Sequence, residues 1–209
     1  MNYVAVGNGS DPRTIAALFQ RLTASGMSLP EPATAGLVRA LFADGHLAEA
    51  WTYYASLRRG ARRDRSRDPD FSAKLTAPSP FDWTPVDDGG VVGSTGAGAF
   101  DFSAPPSNGG PMLRQAQLLP PGKYRLTGRA ADIDQPAQAQ PYWVLSCSNG
   151  RELGRLDITG SPSSGGGFSG EFEVPSDCPS QTLTLIARPT EMVGGLSGRI
   201  VRASLVPSR

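Results

Sequence analysis

A tight turn and an alternating strand follow one another in Leu119-Pro-Pro-Gly-Lys-Tyr-Arg-Leu-Thr127. After the Pro-Pro-Gly bend, the apolar residues Tyr124 and Leu126 alternate with charged or polar ones. Successive side chains of a strand point to opposite faces, so this pattern is typical of a strand with one buried and one wet face. The same alternation occurs in Glu171-Phe-Glu-Val174 and in Thr182-Leu-Thr-Leu185. The surrounding region is therefore predicted to be a β-sheet domain.

Nine short strands are predicted in this region, bounded by glycine, proline, serine or asparagine. Strands at such regular spacing indicate an antiparallel sandwich. We predict an α+β fold in two segregated units, with a C-terminal antiparallel β-sandwich of jelly-roll type. The predicted strands are 91–94, 99–103, 112–118, 124–130, 142–147, 153–158, 168–174, 182–187 and 199–206.

The N-terminal part of the chain has apolar residues at helical spacing instead. About three helices are predicted, over residues 12–25, up to about 43, and 47–59. Asp11 before Pro12 suits a helix start, because a carboxylate can cap free amide groups and proline tolerates the first turn. The change of pattern near residue 69 places a helical unit at 1–67 and the sandwich at 68–209.

Residues 37–57 resemble a tetratricopeptide repeat. In that family two leucines or other large apolar residues, a turn glycine, and an alanine and an aromatic on the second helix let the two helices pack closely. The resemblance covers about one repeat and implies the end of a longer repeat array, since about three repeats are needed to bury a continuous core. The alternative is a self-contained helical hairpin. The matching residues are Leu37, Leu41, Gly45, Ala50 and Tyr54.

The second unit, from about 70 to 207, resembles the jelly-roll sandwiches of carbohydrate-binding modules and related galactose-binding-like domains. The resemblance rests on Asp70-Phe71 with Phe81-Asp-Trp83, the turn and strand 119–126, and the final strand 198–206. Many such modules hold a structural calcium between acids of the first and last strands. Asp70 matches the first acid, but the last strand contains none, so no metal and no cofactor is predicted.

Composition and charge narrow the function classes. The chain has 209 residues, 39% of them hydrophobic, and a formal net charge of +1. This charge argues against a specific nucleic-acid binder, which usually has a strongly basic domain or face. No apolar run reaches the ~18 residues of a membrane span. The opening residues lack the pattern of a signal peptide in the chain as given.

An enzyme is not expected. The chain has one histidine, His46, at a predicted helix connection, so it lacks the usual base for a serine or cysteine nucleophile and the usual set of zinc ligands. Glycoside hydrolysis needs two carboxyl groups facing each other across a cleft, which neighbours in sequence rarely do. The neighbouring acids are Asp87 with Asp88, Asp132 with Asp134, and Glu171 with Glu173.

Aromatic and polar side chains of the sandwich are the candidates for ligand binding. Saccharides stack on aromatic rings, while carboxylate, amide and guanidinium groups hold their hydroxyls. Trp143 shares a strand face with Leu145 and is expected in the core, which leaves Tyr142 pointing outward. Trp83 has two interpretations, a core anchor or a binding residue. The candidate set is Tyr142, Trp83, Asp87, Asp88 and Arg129.

The leading hypothesis is a noncatalytic module that recognises a glycan, in a cell-envelope or polysaccharide-export setting. The partner is then an oligosaccharide or polysaccharide. The alternative is a protein-interaction or assembly module in which the sandwich caps a helical repeat array and a protein partner binds the helical segment.

An arginine-rich run, residues 58–67, separates the two patterns. It has two interpretations: a surface that grips phosphate, anionic lipid or acidic polysaccharide, or a solvated helix end and linker. The exposed linker is favoured, because solvated charge runs are common.

Cys147 and Cys178 are the only two cysteines, and both lie in the predicted sandwich. A disulfide between them is predicted, with two unpaired thiols as the alternative. Disulfides persist in oxidising compartments, so the bond favours a periplasmic or extracellular location.

Overall fold

The computed structural model of the protein describes residues 11–87, 90–158 and 166–208. The chain forms two compact units, and each is described by itself. The helical unit comprises the residues up to Ala61 together with Leu75–Phe81, and the sandwich unit comprises Arg62–Lys74 and the chain from Asp82 onward. The sequence placed one boundary after residue 67. It did not indicate that 75–81 returns to the helical unit, because that segment has neither helical nor strand periodicity.

The described part of the helical unit contains three helices, close to their predicted bounds: α1 Pro12–Ala24, α2 Glu31–Ala43 and α3 Leu47–Leu57. The Asp11 carboxylate accepts a hydrogen bond from the Arg13 backbone N–H at 3.0 Å, as expected of a cap. The turn between α2 and α3 needs the left-handed backbone of Gly45, whose φ is +79°.

The α2–α3 hairpin buries the residues on which the tetratricopeptide resemblance rests. Leu37, Leu41 and Ala50 are fully buried, and Tyr54 is nearly so. The ring of Phe81 lies 5.3 Å from the rings of both Trp51 and Tyr54. One such hairpin does not show a repeat, so the tetratricopeptide assignment stays a prediction.

Tyr53 on α3 has a buried hydroxyl with no hydrogen-bond partner in the described part of the chain, and burial raises the pKa of Tyr53 to about 12. An unsatisfied buried hydroxyl costs about 1 kcal/mol or more. We therefore expect Tyr53→Phe to raise the free energy of unfolding of the helical unit by about 1 kcal/mol, as measured by denaturant titration followed by circular dichroism. A loss of stability would show that the hydroxyl has a partner in solution.

In the residues described, the sandwich unit contains two five-stranded sheets, and every pairing between neighbouring strands is antiparallel. The first sheet has the order β1-β4-β9-β6-β7 and the second β2-β3-β10-β5-β8. This confirms the predicted fold class, and all nine predicted strands are present. The strands are β1 Thr84–Pro85, β2 Val92–Gly96, β3 Ala99–Ala104, β4 Gly110–Gln117, β5 Gly122–Ala131, β6 Tyr142–Cys147, β7 Glu152–Asp157, β8 Gly166–Val174, β9 Gln181–Ala187 and β10 Leu196–Pro207.

The inner faces of the two sheets form one continuous apolar core. Trp143 of the first sheet is fully buried, with its ring 6.4 Å from that of Phe168 in the second sheet. Because the core uses alternate residues of each strand, the residues between them point away from the sandwich. Each sheet therefore presents one outer face.

The arginine-rich run is an exposed linker only in part: Arg59, Arg62 and Arg63 are exposed, but the end of the run is buried. Arg67 is buried, at 8% exposure, within the sandwich unit. Arg62 and Arg65 both bind the carboxylate of Asp64. The hydrogen bond from Arg65 lowers the pKa of Asp64 to about 2. The run therefore neutralises part of its own charge and buries another part.

Cys147 and Cys178 form the predicted disulfide, and both residues are buried. The bond joins the end of β6 to the turn before β9, across 31 residues of sequence. Within the described ranges, no helix combines the length and apolar character needed to cross a membrane.

Candidate functional site

The outer face of the first sheet carries a row of residues, one from each of its five strands. Directly paired residues of antiparallel strands place their side chains on the same face. Since Trp143 and Leu145 point into the core, Val144 between them belongs to the outer face. The row that pairs with it is Thr84, Arg114, Thr184, Val144 and Arg155.

A neighbouring row contains Tyr142, which is paired with Asp157 of β7 and with Ile186 of β9. We use the name Tyr142 face for the surface formed by these outward side chains. Its members include the polar residues Tyr142, Thr84, Arg114, Thr184, Glu152, Arg155, Asp157 and Arg188.

Two arginines hold the ring of Tyr142. The guanidinium carbons of Arg155 and Arg188 each lie 4.3 Å from the ring centroid. The ring is half-buried. A ligand therefore meets an aromatic ring that already has cationic partners, and it must use the edges of the ring and the polar groups around it.

Each of these guanidinium groups is in turn oriented by a carboxylate. Arg155 contacts Glu152 at 3.2 Å, and this hydrogen bond raises the pKa of Arg155. Arg188 binds Asp157 and donates to the backbone oxygen of Gln140 at 2.7 Å. The cluster thus offers fixed donors and acceptors side by side. A hydroxyl group, which both donates and accepts, can bind such a surface at many points.

Arg114 lies three strands away from Arg155 in the same row, about 14 Å at the usual strand spacing. It is exposed, and it forms no ion pair with any residue in the described ranges. Its paired neighbours on this face are Thr84 and Thr184, both of them neutral hydroxyl residues. Counting only the described residues, this end of the Tyr142 face therefore carries a positive charge with no paired carboxylate.

Trp83 is a core residue and not part of a binding surface, at 4% exposure. Its indole N–H donates to the backbone oxygen of Asp68 at 2.9 Å. Its ring lies 5.4 Å from Phe71 and 5.7 Å from Trp143. Its inclusion among the candidate ligand residues is corrected by this packing, which leaves no ring face open to a saccharide.

The structure does not bring the remaining candidates together. Tyr142 points outward, but Arg129 lies on β5 of the second sheet, on the outer face at the opposite side of the sandwich. Asp87 is exposed in the segment after β1. Asp88 lies outside the described residues. Only Tyr142 belongs to the cluster described above.

Sequence reasoning missed the arginines and acids around Tyr142. Arg155 and Asp157 do alternate with Leu156, which signals an outward pair on one strand. No local sequence pattern indicates that β6, β7 and β9 are neighbours in one sheet. The contact of Arg155 and Arg188 with the Tyr142 ring could therefore not be predicted.

Two of the acidic residues considered as catalytic or metal-binding groups, Glu171 and Asp70, are paired with arginines. Glu171 pairs with Arg125 at 2.7 Å, on the wet face of β8, as expected. Asp70 binds Arg202 of the last strand. No group of three or more potential metal ligands is assembled among the described residues.

Comparison with solved structures shows the sandwich fold in other proteins. A CBM4 domain superposes with a TM-score of 0.51 at 13% identity, over 68% of this chain and 99% of that one. The arabinose-bound α-L-arabinofuranosidase MgGH51 superposes with a TM-score of 0.52 at 15% identity, over 72% of this chain. The match spans only 27% of the arabinofuranosidase. At such identities the likeness concerns the fold alone. No protein-family profile and no curated protein matches the sequence.

Proposed function

We propose that the sandwich unit is a noncatalytic saccharide-binding module and that the Tyr142 face is its binding surface. The observation that carries this proposal is the cluster of Tyr142 with Arg155, Arg188, Glu152 and Asp157 on one outer sheet face. The likeness of the fold to a carbohydrate-binding module supports it.

The chemistry of the cluster suits a saccharide better than an apolar ligand. A saccharide presents many hydroxyl groups in fixed positions, and guanidinium and carboxylate groups bind these with charge-assisted hydrogen bonds. The arginines are held by Glu152 and Asp157 before any ligand arrives, so less side-chain entropy is lost on binding. The edge of the Tyr142 ring adds apolar contact for the C–H groups of a sugar.

Binding without catalysis fits the same geometry. Glu152 and Asp157 are each held by a guanidinium of a neighbouring side chain. Both lie on the same exposed strand, so they do not face each other across a cleft as the acids of a glycoside hydrolase do. The acids therefore orient arginines and accept hydrogen bonds from hydroxyl groups.

An exported setting, in the cell envelope or in polysaccharide export, belongs to the same proposal. The Cys147–Cys178 disulfide supports it, because such bonds persist mainly in oxidising compartments.

We expect Tyr142→Ala to weaken saccharide binding by about tenfold or more, because it removes the ring contact and releases both arginines. A glycan array first identifies an oligosaccharide that the full chain binds. Isothermal titration with that oligosaccharide then compares the wild-type chain with Tyr142→Ala and Arg155→Gln.

Arg125→Gln is the matched control for Arg155→Gln. It also removes a strand arginine that is ion-paired to a carboxylate, but on the outer face of the second sheet. The affinity of the Arg125→Gln variant for the oligosaccharide should equal that of the wild type. Equal losses in Arg125→Gln and Arg155→Gln, or no loss in Tyr142→Ala, would refute the assignment of the face.

A protein-binding role of the helical unit is the second candidate. A groove of about 290 Å³ lies between α1 and α3, with an alanine-rich floor and Tyr53 at its edge. Such a groove can accept an apolar side chain of a partner helix. This second role would be favoured by two results together. The chain would bind no oligosaccharide on the glycan array, and it would capture a protein partner whose binding is lost in the variant Ala17→Arg.

A further inference from the structure

We infer that the Tyr142 face selects acidic saccharides and binds their anionic group at Arg114. This inference rests on the proposed saccharide binding and concerns only the class of saccharide.

The charge balance of the Tyr142 face is the first argument. Among the residues that the structure describes, the face carries three arginines, Arg114, Arg155 and Arg188, and two carboxylates, Glu152 and Asp157. Arg155 and Arg188 each have their own carboxylate, so the excess positive charge belongs to Arg114. A neutral saccharide leaves the charge of Arg114 without a counter-charge, whereas the anionic group of an acidic saccharide compensates it.

The surroundings of Arg114 are the second argument. Its direct cross-strand neighbours are Thr84 and Thr184. The Thr84 hydroxyl already donates to the backbone oxygen of Asp82 at 3.3 Å, whereas the Thr184 hydroxyl can donate to an oxyanion beside the guanidinium fork. Within the described ranges, no salt bridge joins Arg114 to a carboxylate. A carboxylate, sulfate or phosphate group on a sugar ring can therefore bind it with two parallel hydrogen bonds.

The position of Arg114 is the third argument. It lies in the same row as Arg155, about 14 Å away across the strands. A saccharide chain lying across the strands can thus contact the Tyr142 cluster with one ring and Arg114 with another. Arg129, on the outer face of the second sheet, differs in its surroundings: its paired neighbours are Arg202 and Gly167, with no aromatic ring in the pair.

The experiment compares acidic oligosaccharides with their own neutral derivatives. Oligogalacturonide, hyaluronan and alginate fragments are each titrated into the full chain beside carboxyl-reduced forms, which keep every ring and linkage but replace the carboxylate by CH₂OH. We expect at least one acidic fragment to bind about fivefold more tightly than its reduced form at low salt, and this gap to shrink at high salt. Arg114→Gln should abolish the gap, and the matched control Arg129→Gln should keep it.

The other outcomes separate the inference from the proposed function. Equal binding of acidic and reduced forms overturns the selection of acidic saccharides and leaves saccharide binding standing. If none of these fragments binds and the glycan array also shows no binding, both the selection of acidic saccharides and the proposed saccharide binding are overturned. Arg114-dependent binding of sulfated dextran supports the inference with sulfate as the anion. Equally tight Arg114-dependent binding of polyglutamate overturns it, because the site would then select charge and not a saccharide.

Discussion

Replacing Arg67 by alanine is expected to lower the free energy of unfolding of the sandwich unit by about 3 kcal/mol. The guanidinium donates to Gln117 Oε1 at 2.7 Å and to the backbone oxygens of Ala116 and Arg65. The surrounding groups are buried, so alanine leaves acceptors without partners and opens a cavity.

The main chain at Arg67 is held independently of its side chain. Its backbone N–H donates to Gln115 Oε1 at 3.1 Å, and its backbone oxygen accepts from Gln115 Nε2 at 3.0 Å. Ser66 and Pro69 bind the backbone of β10 as well. Arg67→Ala should therefore destabilise the unit without releasing the segment, and its circular dichroism spectrum should stay that of the wild type.

Two further variants test this account in denaturant titrations. Arg67→Met keeps much of the buried volume but loses the donors, so it should recover only a part of the loss. Arg63→Ala removes an exposed arginine of the same run and should change stability by less than about 0.5 kcal/mol. If Arg63→Ala were as damaging as Arg67→Ala, the burial of Arg67 would not be the cause.

Removing the disulfide is expected to lower the free energy of unfolding of the sandwich unit by about 3 to 4 kcal/mol in the chain-entropy account. The bond closes a loop across 31 residues, and opening it lets the unfolded chain sample more conformations. Arg151 and Asp177, which form an ion pair at 2.6 Å, join the same two segments beside the bond. That pair is exposed and should compensate for little of the loss.

The double variant Cys147→Ala with Cys178→Ala, compared with the wild type in the presence and absence of reductant, measures this effect. Reductant should destabilise the wild type to about the level of the double variant and leave the double variant unchanged. Counting thiols in denaturant checks the premise. Two reactive thiols in protein made under oxidising conditions would contradict both the bond and the support it lends to an exported setting.

Local pattern was enough for the three helices and for nine of the ten strands in the described residues; it missed the two-residue strand β1. Alternation in 123–127 and 182–185 predicted strands, and it also predicted that Tyr142 points outward while Trp143 is buried. Alternation is a property of a single strand, set by which of its residues are apolar. The disulfide could also be predicted from the sequence, since two cysteines allow only one intramolecular pair.

Other features depended on residues distant in sequence. Arg67 looks like one more cation of an exposed run until Gln115 and Gln117 of β4 are placed around it. Trp83 had two possible environments, and only its contacts with Phe71 and Trp143 place it in the core.

The sequence by itself determined the fold class, helices followed by a β-sandwich, most of the strands and the face on which Tyr142 lies. Only the tertiary structure decided which side chains lie beside Tyr142, because strand order and register depend on pairings between segments dozens of residues apart. Arg114, Thr184 and Arg155 share one row of a face through β4, β9 and β7, which are not consecutive in the chain. The same order sends Arg129 to the opposite face.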